Sequence, residues 1–169
     1  QYALMCISDV TESERALEAA VVNEEMFRLA MKNAPIGMAL VSPQGGWLRV
    51  NRVLCGIVGY SEEELLATDF QTVTHPDDLD KDLELVQKML RSEIDHYHME
   101  KRYSRKSGEM VWILLSVSLV RQANGEPRYF ISQIQDIQER KLAQEELRIS
   151  KERLELALEG GELGTWDWN

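Results

Sequence analysis

The sequence has few cysteines, few basic residues and no long apolar run, and each shortage excludes a class of protein. Its only cysteines are Cys6 and Cys55, with no C-x-x-C spacing, which argues against a disulfide framework or a zinc site. Lys and Arg number 19 against 29 Asp and Glu, and a net charge of −10 argues against a nucleic-acid partner. No apolar run approaches the roughly 18 residues that cross a membrane, so we expect no membrane contact. The low cysteine content fits a reducing, cytoplasmic location.

The apolar content is nevertheless high enough for a buried core. Hydrophobic residues make up 44% of the 169 positions and charged residues 28%, as in a typical globular domain. This length allows one domain with attached segments. The organisation of the chain therefore depends on where that domain begins and ends.

Residues 129–140 change from an apolar run into a charged helix without a loop. Aromatic and β-branched residues at 129–131 suit a strand. Asp136 follows, and Glu139 stands three places later, which is the Asp form of a capping box. Strong helix formers continue the chain. We therefore predict a direct strand-to-helix junction at Asp136, Ile137 and Glu139, through which movement of the strand moves the helix.

The same junction occurs a second time near the start of the chain. Tyr2 and Asp9 align with Tyr129 and Asp136 at one constant offset, which indicates an internal repeat. The predicted divisions are residues 1–8 as the last strand of a preceding repeat, 9–31 as a linker helix, 32–138 as one complete domain, 139–160 as a C-terminal linker helix, and 161–169 as the start of a following repeat.

Both linker helices carry a stripe of residues at the spacing of a coiled-coil seam. The predicted seam residues are Ala16, Ala20, Asn23 and Phe27 in the first helix, and Ala143, Leu147, Ser150 and Leu154 in the second. Polar Asn23 and Ser150 would keep such a seam only modestly stable. We expect a homodimer held through these helices.

The region between the linkers is predicted to alternate short strands and helices. Two strands at 37–42 and 46–50 are followed by capped short helices and by a longer helix starting at Pro76. Three further strands span 95–105, 109–122 and 126–135. This order predicts a mixed α+β domain with one sheet covered by helices.

Short segments of this region match, in order, those of a known family. They are 33–37 (NAPIG), Asn51, 59–61 (GYS), 75–78 (HPDD), 105–108 (RKSG), 111–113 (VWI), 124–125 (NG) and 135–137 (QDI). Together, over about residues 25–139, they resemble the PAS family of sensory domains. The resemblance implies a five-stranded antiparallel sheet with short helices on one face, a small cavity between them, and amphipathic helices at both ends. The family's usual Asp-hydrophobic-Thr ending occurs at residues 9–11, whereas Gln138 replaces the Thr in the second copy.

The resemblance also points one face of the last strand toward the cavity. By strand alternation, Phe130, Ser132 and Ile134 share that face. The expected cavity-lining residues are Met38, Leu40, Leu54, Ile57, Phe70, Met89, Phe130, Ser132 and Ile134. An ordinary hydrophobic core at these positions stays an alternative to a ligand pocket.

The marks of the family's flavin-binding branch are absent. That branch uses a reactive Cys in the turn at 67–71, where this sequence has none, and a Gln at the position of Ile134. Cys55 lies earlier and is interpreted as a small core residue. We therefore predict no cofactor, with haem or a small metabolite left open.

Histidines and acidic residues form only weak metal patterns. Haem-binding members use a His near His75, but Pro76 marks a helix start, which His75 is expected to shape. His96 and His98 share a strand face and lack a third ligand. The acids at 77, 78, 80 and 82 are explained by the helix dipole. We predict no metal site and no catalytic residue.

The sequence thus favours a non-enzymatic PAS module that relays a conformational signal. Its parent would be a multidomain bacterial signalling protein of the diguanylate cyclase/phosphodiesterase or histidine kinase type. The expected partners are a second copy and the adjacent PAS and output domains of the same chain. Two alternatives stay open: a haem or small-molecule sensor that uses the cavity, and a purely structural spacer.

Overall fold

The computed structural model describes residues 2–162, with side chains described for residues 12–158. Helices and strands alternate along the chain as an α+β domain with a long helix at each end. The elements are α1 (Tyr2–Asn33), β1 (Gly37–Val41), β2 (Trp47–Val50), α2 (Arg52–Val58), α3 (Glu62–Leu66), α4 (Phe70–Val73), α5 (Pro76–Leu90), β3 (His96–Ser104), β4 (Met110–Arg121), β5 (Pro127–Asp136) and α6 (Gln138–Glu162).

The strands form one antiparallel sheet in the order β2-β1-β5-β4-β3. Alternate residues of the strands are buried, such as Ile113, Leu115 and Val117 of β4. These side chains pack with buried residues of α2 to α5 in one hydrophobic core. The predicted five-stranded antiparallel sheet with short helices on one face and flanking helices at both ends is confirmed.

Local capping explains where the short helices begin and end. The Asn51 side chain accepts a hydrogen bond from Leu54 N and so starts α2, and Gly59 ends it with a φ of 76° that suits glycine. Ser61 and Glu64 form a reciprocal capping box at the start of α3. These boundaries agree with those predicted from the sequence.

Asn51 also ties the N-terminal helix to the domain. Its buried amide nitrogen donates to Met31 O at 3.1 Å and to Ile36 O at 2.9 Å, and its Oδ1 accepts from Met38 N at 2.9 Å. One side chain thus joins the end of α1, the start of β1 and the start of α2.

Residues 2–8 differ from the sequence prediction, because they form the first part of α1 and not a strand. A strand needs neighbouring strands to satisfy its backbone N–H and C=O groups, whereas a helix satisfies them internally. The sheet of the described residues is built from β1 to β5, without this segment. The predicted start of a following repeat lies largely outside the described residues, at 163–169.

Candidate functional site

A small cavity lies between the sheet and helices α4 and α5. Its volume is about 20 Å³, just above the roughly 10–15 Å³ that one water molecule needs. All five strands contribute to a wall that is mostly aromatic and aliphatic. The lining residues are Val41, Trp47, Phe70, Asp82, Val86, Tyr97, Lys101, Tyr103, Leu115, Val117, Phe130 and Ser132.

One side of this cavity is a buried ion pair. Lys101 Nζ lies 2.5 Å from Asp82 Oδ2, and the two side chains are 0% and 1% exposed. Tyr97 donates its hydroxyl to Asp82 Oδ1 at 2.7 Å, and Lys101 also donates to Thr74 Oγ1 at 3.0 Å. The cluster fastens the end of α4 and the middle of α5 to β3.

Aromatic rings complete the surroundings of Lys101. Its Nζ lies 4.7 Å from the ring centre of Tyr103 and 5.5 Å from that of Phe70, close enough for cation–π attraction. Burial lowers the pKa of the Lys101 ammonium, and the Asp82 carboxylate opposes that shift. Burial, followed by the charge of Asp82, raises the pKa of both Tyr97 and Tyr103 well above the usual value, so both rings stay neutral.

The opposite side of the cavity carries a hydrogen-bond donor without an acceptor. Trp47 is 4% exposed, and its Nε1 has no hydrogen-bond partner among the residues that the structure describes. Ser132, on β5, is also buried and lines the same cavity. The cavity therefore has polar groups on two sides and apolar walls between them.

The predicted cavity residues divide into three groups. Three of them, Phe70, Phe130 and Ser132, line the cavity. Buried core positions away from its wall are taken by Leu54, Ile57, Met89 and Ile134.

The third group, Met38 and Leu40, was predicted wrongly, because both residues lie on the other face of β1. Ala39 pairs with Ser132 across the sheet, and directly opposed residues share a face. Ala39 and Val41 therefore point inward.

The ion pair is the part of the site that sequence reasoning missed. In the sequence, Asp82 is one of several acids that the helix dipole explains, and no motif marks Lys101. The inward residues of β3 are Tyr97, Met99, Lys101 and Tyr103, so a lysine interrupts an otherwise apolar and aromatic alternation. A charge at an inward strand position needs a buried partner, and that signal would have pointed to an acid on a facing helix.

The junction between β5 and α6 is built differently from the predicted capping box. Asp136 Oδ1 accepts from Gln138 N at 2.8 Å, and Asp136 itself still pairs with Ile113 in the sheet. The first helical bond runs from Lys141 N to Ile137 O, so Ile137 occupies the cap position and Asp136 precedes it. No bond joins Asp136 to Glu139 in the part of the chain that the structure describes.

The start of α6 is instead fastened to β4 at Trp112. Ile137 N donates to Trp112 O at 2.9 Å, and Trp112 N donates to the Gln138 side chain at 3.0 Å. Gln138, which replaces the family's usual Thr, therefore supplies a contact of its own. Both backbone groups of one strand residue hold the first turn of the helix.

A charged cluster surrounds the Trp112 ring on the outer face of the sheet. The ring centre lies 4.7 Å from Lys141 Nζ of α6 and 5.4 Å from the Arg102 guanidinium of β3. Glu100 of β3 pairs with Lys141 and Arg140, which lowers the pKa of the Glu100 carboxyl. These contacts couple the first turn of α6 to two strands.

Arg102 extends the same cluster to the start of α5. Its side chain and backbone N donate to Asp78 at 2.8–2.9 Å, and these bonds lower the pKa of the Asp78 carboxyl. His75 begins α5 by accepting a hydrogen bond from Asp77 N, as its predicted role at the helix start requires. The α5 helix, which carries Asp82 of the cavity, is thus connected to α6 through Arg102 and Trp112.

The predicted seam residues lie on exposed helix surfaces, with one exception. Ala16, Ala20 and Asn23 are exposed on α1, but Phe27 is half-buried against the domain, with its ring 5.8 Å from the Arg49 guanidinium of β2. On α6 the residues Ala143, Leu147, Ser150 and Leu154 are all exposed. The seam stays a prediction, and Phe27 already has a partner within its own chain.

The other candidate sites have no further support. His96 and His98 are exposed on β3 opposite Ser118 and Ser116, and no group of three or more potential metal ligands occurs within the described residues. Cys55 is a free, partly buried thiol whose pKa is raised by burial. Within residues 2–162, no helix combines the length and apolar character that a membrane span requires.

Comparison with known proteins gives one matching family and several relatives. A family model described as PAS fold matches residues 48–134. The chain is 49% identical over 146 residues to the probable diguanylate cyclase DgcE of Escherichia coli, and 28% identical over 136 residues to the sensor histidine kinase TmoS of Ectopseudomonas mendocina. These alignments cover 86% and 80% of this chain, but the chain spans only 13% and 14% of the length of these relatives.

A crystal structure of a sensory box histidine kinase/response regulator from Burkholderia thailandensis has a similar fold. Its TM-score is 0.60 at 29% sequence identity, over 76% of this chain and 97% of that one.

Proposed function

Because this chain belongs to the PAS family, we propose that it relays a conformational change from the interior of its domain to a partner domain connected through α6. It is a sensor domain that resembles parts of diguanylate cyclase and histidine kinase proteins. The two hydrogen bonds between Trp112 and the start of α6 carry this proposal. They join sheet and helix without an intervening loop, so a displacement of β4 is passed to the helix.

The route from the cavity to α6 follows residues already in contact. Asp82 and Asp78 lie one turn apart on α5, and they bind the neighbouring β3 residues Lys101 and Arg102. Arg102 lies against the Trp112 ring, and Lys141 of α6 lies against the same ring. A change at the ion pair would therefore move α5 and β3, and the Trp112 cluster would respond.

The wider assembly is also part of the proposal. A homodimer through the linker helices would let both copies move together, as the exposed leucines of α6 favour. Residues 161–169 would begin a sister repeat in a longer chain, with a catalytic output domain outside this segment. We place the module in the cytoplasm, where a free thiol such as Cys55 stays reduced.

Small-molecule sensing in the cavity is a second candidate, because polar side chains such as Lys101 and Ser132 line the cavity together with apolar ones. A large cofactor does not fit this conformation, because the cavity measures about 20 Å³ against roughly 300–1,000 Å³ for drug-sized ligand pockets. Haem is therefore not proposed. A third candidate is that the domain is a purely structural spacer. The experiment on α6 distinguishes a spacer from a signal relay.

The relay is tested with helix insertions in a fusion protein. The chain through residue 158 is joined to a diguanylate cyclase catalytic domain, and one to seven alanines are inserted after Ser150. Each insertion rotates the following helix by about 100°. Cyclase activity is expected to vary periodically with the number of insertions and to recover near seven.

A length control uses the same numbers of Gly and Ser residues at the fusion point. A flexible linker transmits no rotation, so no periodic change is expected there. Activity that is the same for all alanine insertions would contradict the relay and favour the spacer.

A further inference from the structure

A cleft between the end of α1 and the start of α2 is lined by basic side chains. Arg28 and Lys32 belong to α1, Arg49 to β2 and Arg52 to α2. The chain has 19 Lys and Arg and a net charge of −10, so four cations in one cleft are a concentration of the minority charge. Like charges gathered in this way repel one another unless an opposite charge offsets them.

Two of these basic residues have ion-pair partners, and the two pairs differ in quality. Arg49 lies 2.5 Å from Glu24, so its charge is compensated within the chain. Arg28 lies 3.7 Å from Glu25, which is too far for a hydrogen bond, and both side chains are 61% exposed. The guanidinium of Arg28 is therefore available to another partner.

The other two basic residues, Lys32 and Arg52, add uncompensated charge to the cleft. Neither of them forms an ion pair with another side chain of residues 12–158. Glu62 is the acidic residue that lines the same cleft. With Arg28, three available cations face this one carboxylate, which leaves an excess of two positive charges for an occupant to neutralise.

The size and the apolar wall of the cleft fit a small organic molecule. Its volume is about 380 Å³, which lies within the roughly 300–1,000 Å³ of small-ligand sites. Met31 and Val50 contribute apolar surface between the charges, and each is 7% exposed. The buried Asn51 side chain, which bonds Met31 O, holds the end of α1 against this region. The cleft is thus built by packed elements of the domain.

The chemistry of the cations indicates which anion would bind. Three of the four are arginines, whose paired N–H groups match the oxygens of a phosphate. A phosphomonoester carries a charge of roughly −1.5 to −2 at neutral pH. That charge matches the positive excess of the cleft, whereas a single carboxylate would leave half of it uncompensated. The apolar wall would contact the carbon atoms that the phosphate carries.

We propose that this cleft binds a small organic phosphomonoester. Its phosphate accepts hydrogen bonds from Lys32 and Arg52, with Arg28 as a third donor, and its organic part contacts Met31 and Val50. A phosphate held in this way bridges α1 and α2 and fastens α1 to the domain. The cleft shares no lining residue with the cavity between the sheet and helices α4 and α5, and the site does not depend on the relay through α6.

The test compares phenyl phosphate with phenyl sulfate on the intact 169-residue chain. The two probes have the same shape, but the sulfate carries one negative charge. In a ¹⁵N-labelled sample at neutral pH and constant ionic strength, phenyl phosphate is expected to shift the amide signals of Lys32 and Arg52 saturably. Phenyl sulfate is expected to bind about fivefold more weakly, as for the loss of one ion-pair contact. Phenyl phosphate is also expected to slow amide exchange at residues 29–33.

Two pairs of exposed cations provide matched variants. Lys32→Gln with Arg52→Gln removes both unpaired charges from the cleft and is expected to weaken phenyl phosphate binding about tenfold. Lys81→Gln with Arg128→Gln removes the same two charges outside the cleft and is expected to retain binding. All four side chains are exposed, so both double variants are expected to keep the fold.

Each contrary outcome contradicts a specific part of the proposal. Equal binding of the two probes, or no saturable shift with phenyl phosphate, would overturn the phosphomonoester class. The same loss of binding in both double variants would show a general charge effect and would overturn the site. A tetraglutamate peptide that binds more tightly than phenyl phosphate would assign the cleft to an acidic protein segment instead. Saturable binding with unchanged exchange at residues 29–33 would overturn the bridge between α1 and α2.

Discussion

Lys101 is a buried charged residue, and it requires a buried partner of opposite charge. Its ammonium is fully buried and has one charged partner, Asp82, at 2.5 Å. A buried pair of this kind adds little net stability, because both ions lose their hydration. Removal of one partner, in contrast, strongly destabilises the domain, because it leaves the other charge buried without a counter-charge. The pair thus specifies how α5 docks on β3.

We predict that Lys101→Met lowers the free energy of unfolding by about 3–5 kcal/mol, because Asp82 loses its counter-charge. The double variant with Asp82→Leu is expected to recover part of that loss, since neither remaining side chain then carries a charge. Urea unfolding followed by circular dichroism measures both.

Lys106 offers the matched control for this prediction, because it pairs with Glu64 on the surface. Lys106→Met is expected to cost less than about 1 kcal/mol, as is usual for exposed pairs. If Lys101→Met costs no more than Lys106→Met, the buried pair does not hold the domain together.

At the scale of elements, the junction of β5 and α6 depends on Gln138. Its side-chain oxygen accepts from Trp112 N, so Gln138→Ala leaves that N–H without its partner. We predict a loss of about 1 kcal/mol in stability and faster amide exchange at Trp112 and Ile137. Gln138→Glu keeps an accepting oxygen and serves as the control. Equal exchange rates in the two variants would show that Gln138 does not fasten the helix.

The elements that the sequence predicted well are those whose determinants are local. The helix caps formed by Asn51, Ser61 and Gly59 each bond a backbone group within four residues, so local sequence alone predicts both ends of α2 and the start of α3. The strand predicted at 1–8 was wrong because a strand depends on neighbours that local composition does not reveal. The apolar run at residues 2–8 resembles a strand in composition but is helical in this structure.

Parts of the site that depend on pairing between elements could not be predicted in this way. The inward face of β1 follows from the register of Ala39 against Ser132, which five residues of sequence do not encode. The Lys101–Asp82 pair joins a strand to a helix in the same manner. The predicted junction residues Asp136, Ile137 and Glu139 are neighbours in sequence, whereas the bonds that hold the start of α6 involve Trp112, which is distant in sequence.

At the scale of the whole molecule, two long helices leave the domain with exposed apolar surface. On α6, Leu147 and Leu154 are 57% and 60% exposed and lie two turns apart on one face. The first turn of this helix is fixed to the sheet at Trp112, so the leucines extend away from the domain in a defined direction. Apolar residues at this spacing are typical of a seam between two helices.

We predict that the chain is a dimer at tens of micromolar concentration and that Leu147→Glu with Leu154→Glu makes it monomeric. Burial of a leucine side chain contributes about 1.5–3 kcal/mol, so the dissociation constant should rise at least about tenfold per residue. The control is Glu145→Gln with Glu152→Gln, which has the same seven-residue spacing on the opposite face. Sedimentation velocity measures association, and unchanged circular dichroism shows that the fold is retained. A wild-type monomer, or a control that dissociates equally, would contradict a seam on this face of α6.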